Sequence, residues 1–100
     1  IRGSIGVVLA EVDEAQAASL GLARAGIVIT DLIVGSPAVA AGLRPGDIIT
    51  SVAGNVVRSQ QDALTRIAAS KPGATLTLGI VRGTQEARVP VKVTERRTTN

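Results

Sequence analysis

Every bulky apolar side chain in this sequence is aliphatic. Phe, Tyr, Trp, Met and Cys are all absent, yet 45% of the 100 residues are hydrophobic. A core without rings or disulfides has to reach close-packed density by interlocking many small pieces of Val, Ile, Leu and Ala. A chain of this length forms one compact domain and buries roughly 60–65% of its unfolded surface. Eleven Lys and Arg against eight Asp and Glu give a net charge of +3, with the basic residues spread from Arg2 to Arg97 and adjacent only at Arg96-Arg97. That spacing gives no nucleic-acid patch, and single-strand binding also lacks aromatic stacking platforms. The missing cysteines exclude thiol chemistry and leave the redox compartment open. The apolar runs at Ile27–Thr30 and Leu32–Val34 are interrupted by Asp31, far short of the ~18–20 residues that span a bilayer. The expectation is a soluble domain. It starts at Ile1, with no charged leader or cleavage signature, which reads as one domain cut from a longer protein.

At the N-terminus, Ser4-Ile5-Gly6-Val7 puts a glycine between aliphatic residues just before the strand-like run Val7-Val8-Leu9. Glycine accepts positive φ and lets successive N–H groups converge into an anion-binding nest, for which a carboxylate is the natural guest. The alternative is an ordinary strand kink.

Further along, Asp13 with Gln16 spells a capping box on a helix from Glu14 to Leu20, stopped by Gly21. Gly26–Val34 is β-branched and apolar on both faces apart from Thr30 and Asp31, as a central strand would be. Ser36 as N-cap, Pro37 at the first helical position and Gly42 at the end mark a short helix, Pro37 to Ala41. A Pro45-Gly46 turn delivers the strand Asp47–Val52, with Ile48 and Val52 directed inward, and Ala53-Gly54-Asn55 turns into Val56-Val57. Ser59 opens the last helix, Gln60 to Ser70, ended by Lys71-Pro72-Gly73. Two strands close the chain, Thr75–Val81 and Gln85–Val93; Ala87, Val89, Val91 and Val93 share the inner face, and Pro90 implies an exposed edge or a break in the strand. The domain is expected over 1–94, with 95–100 as a frayed polar tail.

The run Gly35-Ser36-Pro37-Ala38-Val39-Ala40-Ala41-Gly42-Leu43-Arg44-Pro45-Gly46-Asp47-Ile48-Ile49-Thr50-Ser51-Val52-Ala53-Gly54 resembles the signature of PDZ domains, "SPAxxAGLxxGDxIxxVxG". Having Arg2-Gly3-Ser4-Ile5-Gly6-Val7 at the N-terminal edge is similar to the permuted arrangement of bacterial HtrA-type (DegP- and DegS-like) proteases, over nearly the whole chain. The resemblance implies an α+β fold: a small, partly open antiparallel β-barrel or sandwich capped by two to three helices, in the bacterial permuted strand order. It also implies a periplasmic or envelope location, an attached trypsin-like protease domain in the same parent chain, and C-terminal peptides of other proteins as partners. A trimeric parent is left open.

In such a domain Ile5, Gly6 and Val7, with Ser4, correspond to the carboxylate-binding loop. A peptide would pair as an added strand along Val7, Val8 and Leu9. Ile5, Val7, Gln60, Leu64 and Ile67 would enclose its last side chain, and Arg2 is a candidate to assist the carboxylate, against the alternative of a solvated charge. Leu64 and Ile67 have core packing as their alternative. Two departures stand out: Ser4 occupies a position where DegS-like members often carry an aromatic ring, and Gln60 one where animal class I domains carry His. An apolar C-terminal sequence is therefore the expected ligand rather than one selected for a hydroxyl. Asp47 reads as structural, belonging to the turn.

The composition excludes a Ser–His–Asp triad, cysteine nucleophiles and His/Cys metal sites; no catalytic residue, metal or cofactor is nominated. Two alternatives keep the fold and change the role: a docking or oligomerisation domain of a secretion system, or the PDZ domain of a site-2 or C-terminal processing protease.

Overall fold

The aliphatic residues divide between the two faces of one antiparallel sheet. The structure, a computed structural model, describes residues 3–95. In chain order the elements are β1 (Gly3–Ser4), β2 (Val7–Val12), α1 (Glu14–Ser19), β3 (Gly26–Leu32), α2 (Pro37–Ala40), β4 (Ile48–Val52), β5 (Asn55–Val56), α3 (Gln60–Ala68), β6 (Thr75–Arg82), β7 (Gln85–Lys92) and β8 (Thr94–Glu95). The main sheet runs β2-β3-β4-β6-β7 with β5 paired to β4, and β1 pairs with β8 separately. It does not close into a barrel: β2 and β7 remain edges. Pro90 accordingly sits on an edge strand, opposite Thr77, where its missing N–H costs no ladder bond to a further strand.

Period-two alternation decides the faces. Leu76, Leu78 and Ile80 of β6 join Ile5, Leu9, Ile27, Ile29, Ile49, Ile67 and Val91 in the main core. Val81, Ile48 and Val28 form a smaller cluster on the other face, covered in part by Val12 and Leu22. Ile48 and Ile49 are both buried because each face of β4 is covered. In β7 the inner face is real but graded: Val91 is fully buried, Val89 half-buried and Ala87 exposed, as the strand runs past the edge of the core.

The helix ends follow their caps. Asp13 accepts from the Gln16 N–H at 2.8 Å while Gln16 Oε1 accepts from the Asp13 N–H at 2.9 Å. Ser36 and Ser59 accept from the N–H groups of Val39 and Asp62, each cap holding a helix N-terminus that is otherwise short of acceptors. All three helices stop one or two residues before the expected ends, with Leu20, Ala41 and Ala69 as C-caps. β3 also ends early. Ile33 and Val34 are 59% and 96% exposed, because Gly35 at φ +74° turns the chain out of the sheet there. At the other end of the chain, Glu95 pairs with Gly3, so the ordered ladder reaches one residue into the expected tail; residues 96–100 lie outside the described residues.

Asp47 is 1% exposed and entirely committed to structure. It accepts the Arg44 N–H at 2.9 Å and a two-pronged clasp from Arg82, Nε at 2.9 Å and Nη2 at 2.7 Å; the same Nη2 reaches the Gly42 carbonyl. The hydrogen bonds it donates to Asp47 hold the Arg82 guanidinium above its ordinary pKa. This knot fixes the α2–β4 loop, and with it the position of α2.

Candidate functional site

A peptide unit is planar and trans, so fixing its C=O fixes the opposite direction for its N–H. No cis bond occurs among the described residues. Between Ser4 and Val7 three successive carbonyls are tied back into the fold. The Ser4 C=O accepts from Thr94 Oγ1 at 3.2 Å, the Ile5 C=O from the Ala38 N–H at 2.9 Å, and the Gly6 C=O from the Ile33 N–H at 2.9 Å. The N–H groups of Ile5, Gly6 and Val7 are thereby turned away from those anchors. Ala38 lies in the first turn of α2, where backbone donors have no helical acceptor; the loop satisfies that need.

Gly6 is required twice over. Its φ is +81°, and an added Cβ would collide with the Ser36 Cβ and stand 2.7 Å from the Ser36 Oγ. Gly3 is constrained by contact alone, since a side chain there would run into the Ser70 carbonyl just past α3.

The same peptide geometry continues into β2. The Val8 C=O accepts from Thr30 Oγ1 at 3.2 Å on the β3 side, so the Leu9 N–H faces the other way. Thr30 is the extra residue of a bulge, with Val8 opposite Asp31 and Leu9 opposite Ile29. Along the free edge of β2 the outward donors are therefore those of Val7 and Leu9, while Val8 contributes its backbone to the β2–β3 ladder and a half-exposed side chain to solvent.

Facing this edge is α3. A groove of about 680 Å³ is lined by Gly3 to Val7 on one side and by α3 on the other. Of the expected residues, Ser4, Ile5, Gly6, Val7, Leu64 and Ile67 all line it. Ile67 does so while 4% exposed and part of the core, whereas Leu64 is 36% exposed and outside the core cluster. Ile67 thus belongs to the core and also reaches the groove, whereas Leu64 lines the groove from outside the core.

Gln60 does not line this groove; Gln61 does. The Gln60 N–H is bonded to Glu11 Oε1, which ties it to the far end of β2. It lies seven residues, or ~10 Å of helix rise, from Ile67. Gln61 stands three residues before Leu64, on the same side of the helix, and Thr65 and Ala68 continue that stripe. Ile33, expected in a buried strand, instead lies at the groove mouth. The i, i+3, i+4 and i+7 spacing of 61, 64, 65 and 68 is readable in the sequence; the position of Ile33 is not. Arg2 lies outside the described residues.

The family model described as "PDZ domain" matches residues 3–93. The chain belongs to the PDZ domain family. A protein of Bartonella henselae named probable periplasmic serine endoprotease DegP-like is 40% identical over 93 residues, which are 92% of this chain and 18% of that protein. The periplasmic pH-dependent serine endoprotease DegQ of Escherichia coli is 35% identical over 92 residues, 90% of this chain and 20% of that protein. This PDZ domain thus spans about a fifth of the curated relatives it matches. Among solved structures, HtrA-type protease AlgW with a decapeptide superposes with a TM-score of 0.92 at 29% identity, covering 99% of this chain and 31% of that one. The HtrA3 PDZ domain bound to a phage-derived ligand superposes at 0.78 with 20% identity, covering 92% of this chain and 86% of that one; it shows the shared fold.

Proposed function

We propose that this PDZ domain captures the apolar C-termini of other proteins by strand addition. The observation that carries the reading is the set of three carbonyls anchored behind Ser4–Val7, which turns the Ile5, Gly6 and Val7 N–H groups forward beside a groove of mixed lining that includes Leu64 and Ile67. A terminal carboxylate takes the three N–H groups, and charge-assisted bonds of this kind are about twice as strong as neutral ones. The peptide main chain then pairs with the outward groups of Val7 and Leu9, and its last side chain lies against Leu64 and Ile67. Because Ser4 brings no ring, the mouth stays wide enough for Val, Leu or Phe at the peptide end.

The parent chain in this reading is a trypsin-like HtrA-type serine protease of the periplasm, which the domain regulates or feeds with substrates in envelope protein quality control or stress sensing. The names of the curated relatives and the peptide-bound structural neighbours support it. Occupation of the groove shifts the protease only to the extent that peptide contacts its two states unequally.

Titration of the domain with fluorescein-labelled peptides tests the binding step. Free-carboxylate peptides ending in Val, Leu or Phe are expected to bind at about micromolar Kd, about −8 kcal/mol, with their C-terminal amides much weaker. Equal binding of acids and amides refutes the carboxylate site.

A further inference from the structure

The opposite face of the main sheet carries a second concavity, of about 910 Å³, larger than the peptide groove. Three arginines far apart in sequence line its walls: Arg24 from the loop after α1, Arg58 just before the α3 cap, and Arg88 from β7. All three are exposed, and among the described residues none is in an ion pair; the two ion pairs there are Arg66–Asp62 and Arg82–Asp47. The single acidic residue in the cleft, Glu11, has an oxygen occupied by the Gln60 N–H.

The floor is mixed. Arg88 stands opposite Gly79 in the β6–β7 register, and the Ser51 hydroxyl lies over Gly79 so closely that a Cβ there would collide with it. Beside it Val56, 66% exposed, adds an apolar surface. Three guanidinium groups around hydroxyls and an aliphatic side chain select a ligand with separated carboxylates and small or aliphatic residues between them. A uniformly charged polyanion fits less well, because Glu11 opposes it and no aromatic offers a base a stacking surface.

We infer that this cleft is a second binding site, which takes an acidic segment of a polypeptide across the sheet, independently of the C-terminal groove. Charge complementarity carries the assignment: three cationic side chains against one already engaged carboxylate on a single concave face.

The test uses a fluorescein-labelled peptide of alternating Glu and Val, blocked at both ends so that it offers no terminal carboxylate, with fluorescence anisotropy as readout. It is expected to bind, to weaken as salt rises from about 0.05 M to about 0.3 M because exposed charge pairs are screened, and to stay bound when the groove is saturated with a free-carboxylate peptide. Arg58→Gln with Arg88→Gln is expected to weaken it about tenfold, given that an exposed pair contributes at most about fivefold. Both side chains are exposed, so the far-UV circular dichroism and melting of this variant are expected to match the parent. Should it fail to fold, Arg24→Gln, in a loop, carries the same test with an expected loss of about fivefold.

Several outcomes overturn the assignment: equal binding of a Gln–Val peptide, no effect of the arginine substitutions, or displacement by the groove ligand. Tighter binding of tripolyphosphate would reassign the cleft to phosphate groups. A salt-sensitive dimer in sedimentation would reassign it to a second copy of the chain. Because the blocked peptide cannot use the carboxylate loop, failure here and failure of the groove reading are separate results.

Discussion

Replacing Gly6 by Ala separates the two constraints on the carboxylate loop. At φ +81° an alanine pays the left-handed penalty of about 1–2 kcal/mol. Its Cβ also lands on the Ser36 side chain, 2.7 Å from Oγ and closer to Cβ, and forced overpacking costs a further ~1–3 kcal/mol. A total of about 3 kcal/mol is expected, a fall in Tm of about 15 °C for a domain this size. Ser36→Gly removes both atoms that the new Cβ strikes. As an N-cap, glycine replaces serine at a cost of only a few tenths of a kcal/mol, so this second substitution is nearly silent by itself.

The double variant is therefore expected to recover the steric part and lose about 1.5–2 kcal/mol, less than Gly6→Ala alone. Urea unfolding followed by far-UV circular dichroism measures the cycle, because the chain has no Trp or Tyr to report by fluorescence. Titration with a free-carboxylate peptide runs alongside: Gly6→Ala displaces the Gly6 and Val7 N–H groups and is expected to weaken binding at least about tenfold, with partial recovery in the double variant. Costs that add within about 0.3–0.5 kcal/mol would refute the steric argument. Unchanged peptide affinity in Gly6→Ala would refute the role given to the loop.

Other substitutions test neighbouring parts of the same machinery. Asp47→Ala leaves the Arg44 N–H without its acceptor and releases the Arg82 clasp from a buried carboxylate; a loss of about 2–4 kcal/mol is expected in the same urea assay, with Asp47→Asn less damaging. Leu64→Ala is expected to cost under about 1 kcal/mol of stability while weakening peptides that end in Leu or Phe about fivefold, because Leu64 lines the groove from outside the core. Ile67→Ala, buried at 4% exposure, is expected to cost about 2–4 kcal/mol in stability as well as affinity. Equal stability losses at the two positions would contradict the division drawn between them.

What the sequence discloses about this domain depends on how far apart the interacting groups lie along the chain. The caps at Asp13, Ser36 and Ser59 act over three residues, so spacing alone reveals them. The strands of the hairpin β6–β7 and the edge position of Pro90 follow from alternation and from a missing N–H. Helix roll is different. By spacing alone Leu64 has candidate groove neighbours at both i−3 and i−4; in the fold Gln61 lines the groove, and the Gln60 N–H is instead bonded to Glu11, 49 residues away. Ile33 has the composition of a buried strand, yet the Gly35 turn leaves its side chain at the groove mouth while its N–H holds the Gly6 carbonyl.

The same distinction explains why the loop's glycine is visible in the sequence and its chemistry is not. Gly6 announces an unusual backbone conformation, but a positive φ by itself aims no N–H group. The aim comes from Thr94, Ala38 and Ile33, donors to the loop carbonyls contributed by the last strand, the first turn of α2 and the turn after β3. Two of these elements are in turn held by other parts of the fold: β8 by its pairing with β1, and α2 by its Ser36 cap and by the Asp47–Arg82 knot behind its C-terminal loop. A three-donor site assembled this way gains rigidity from the whole fold rather than from the loop. In the proposed function its donors are ordered before a ligand carboxylate arrives, and less binding free energy goes into ordering them.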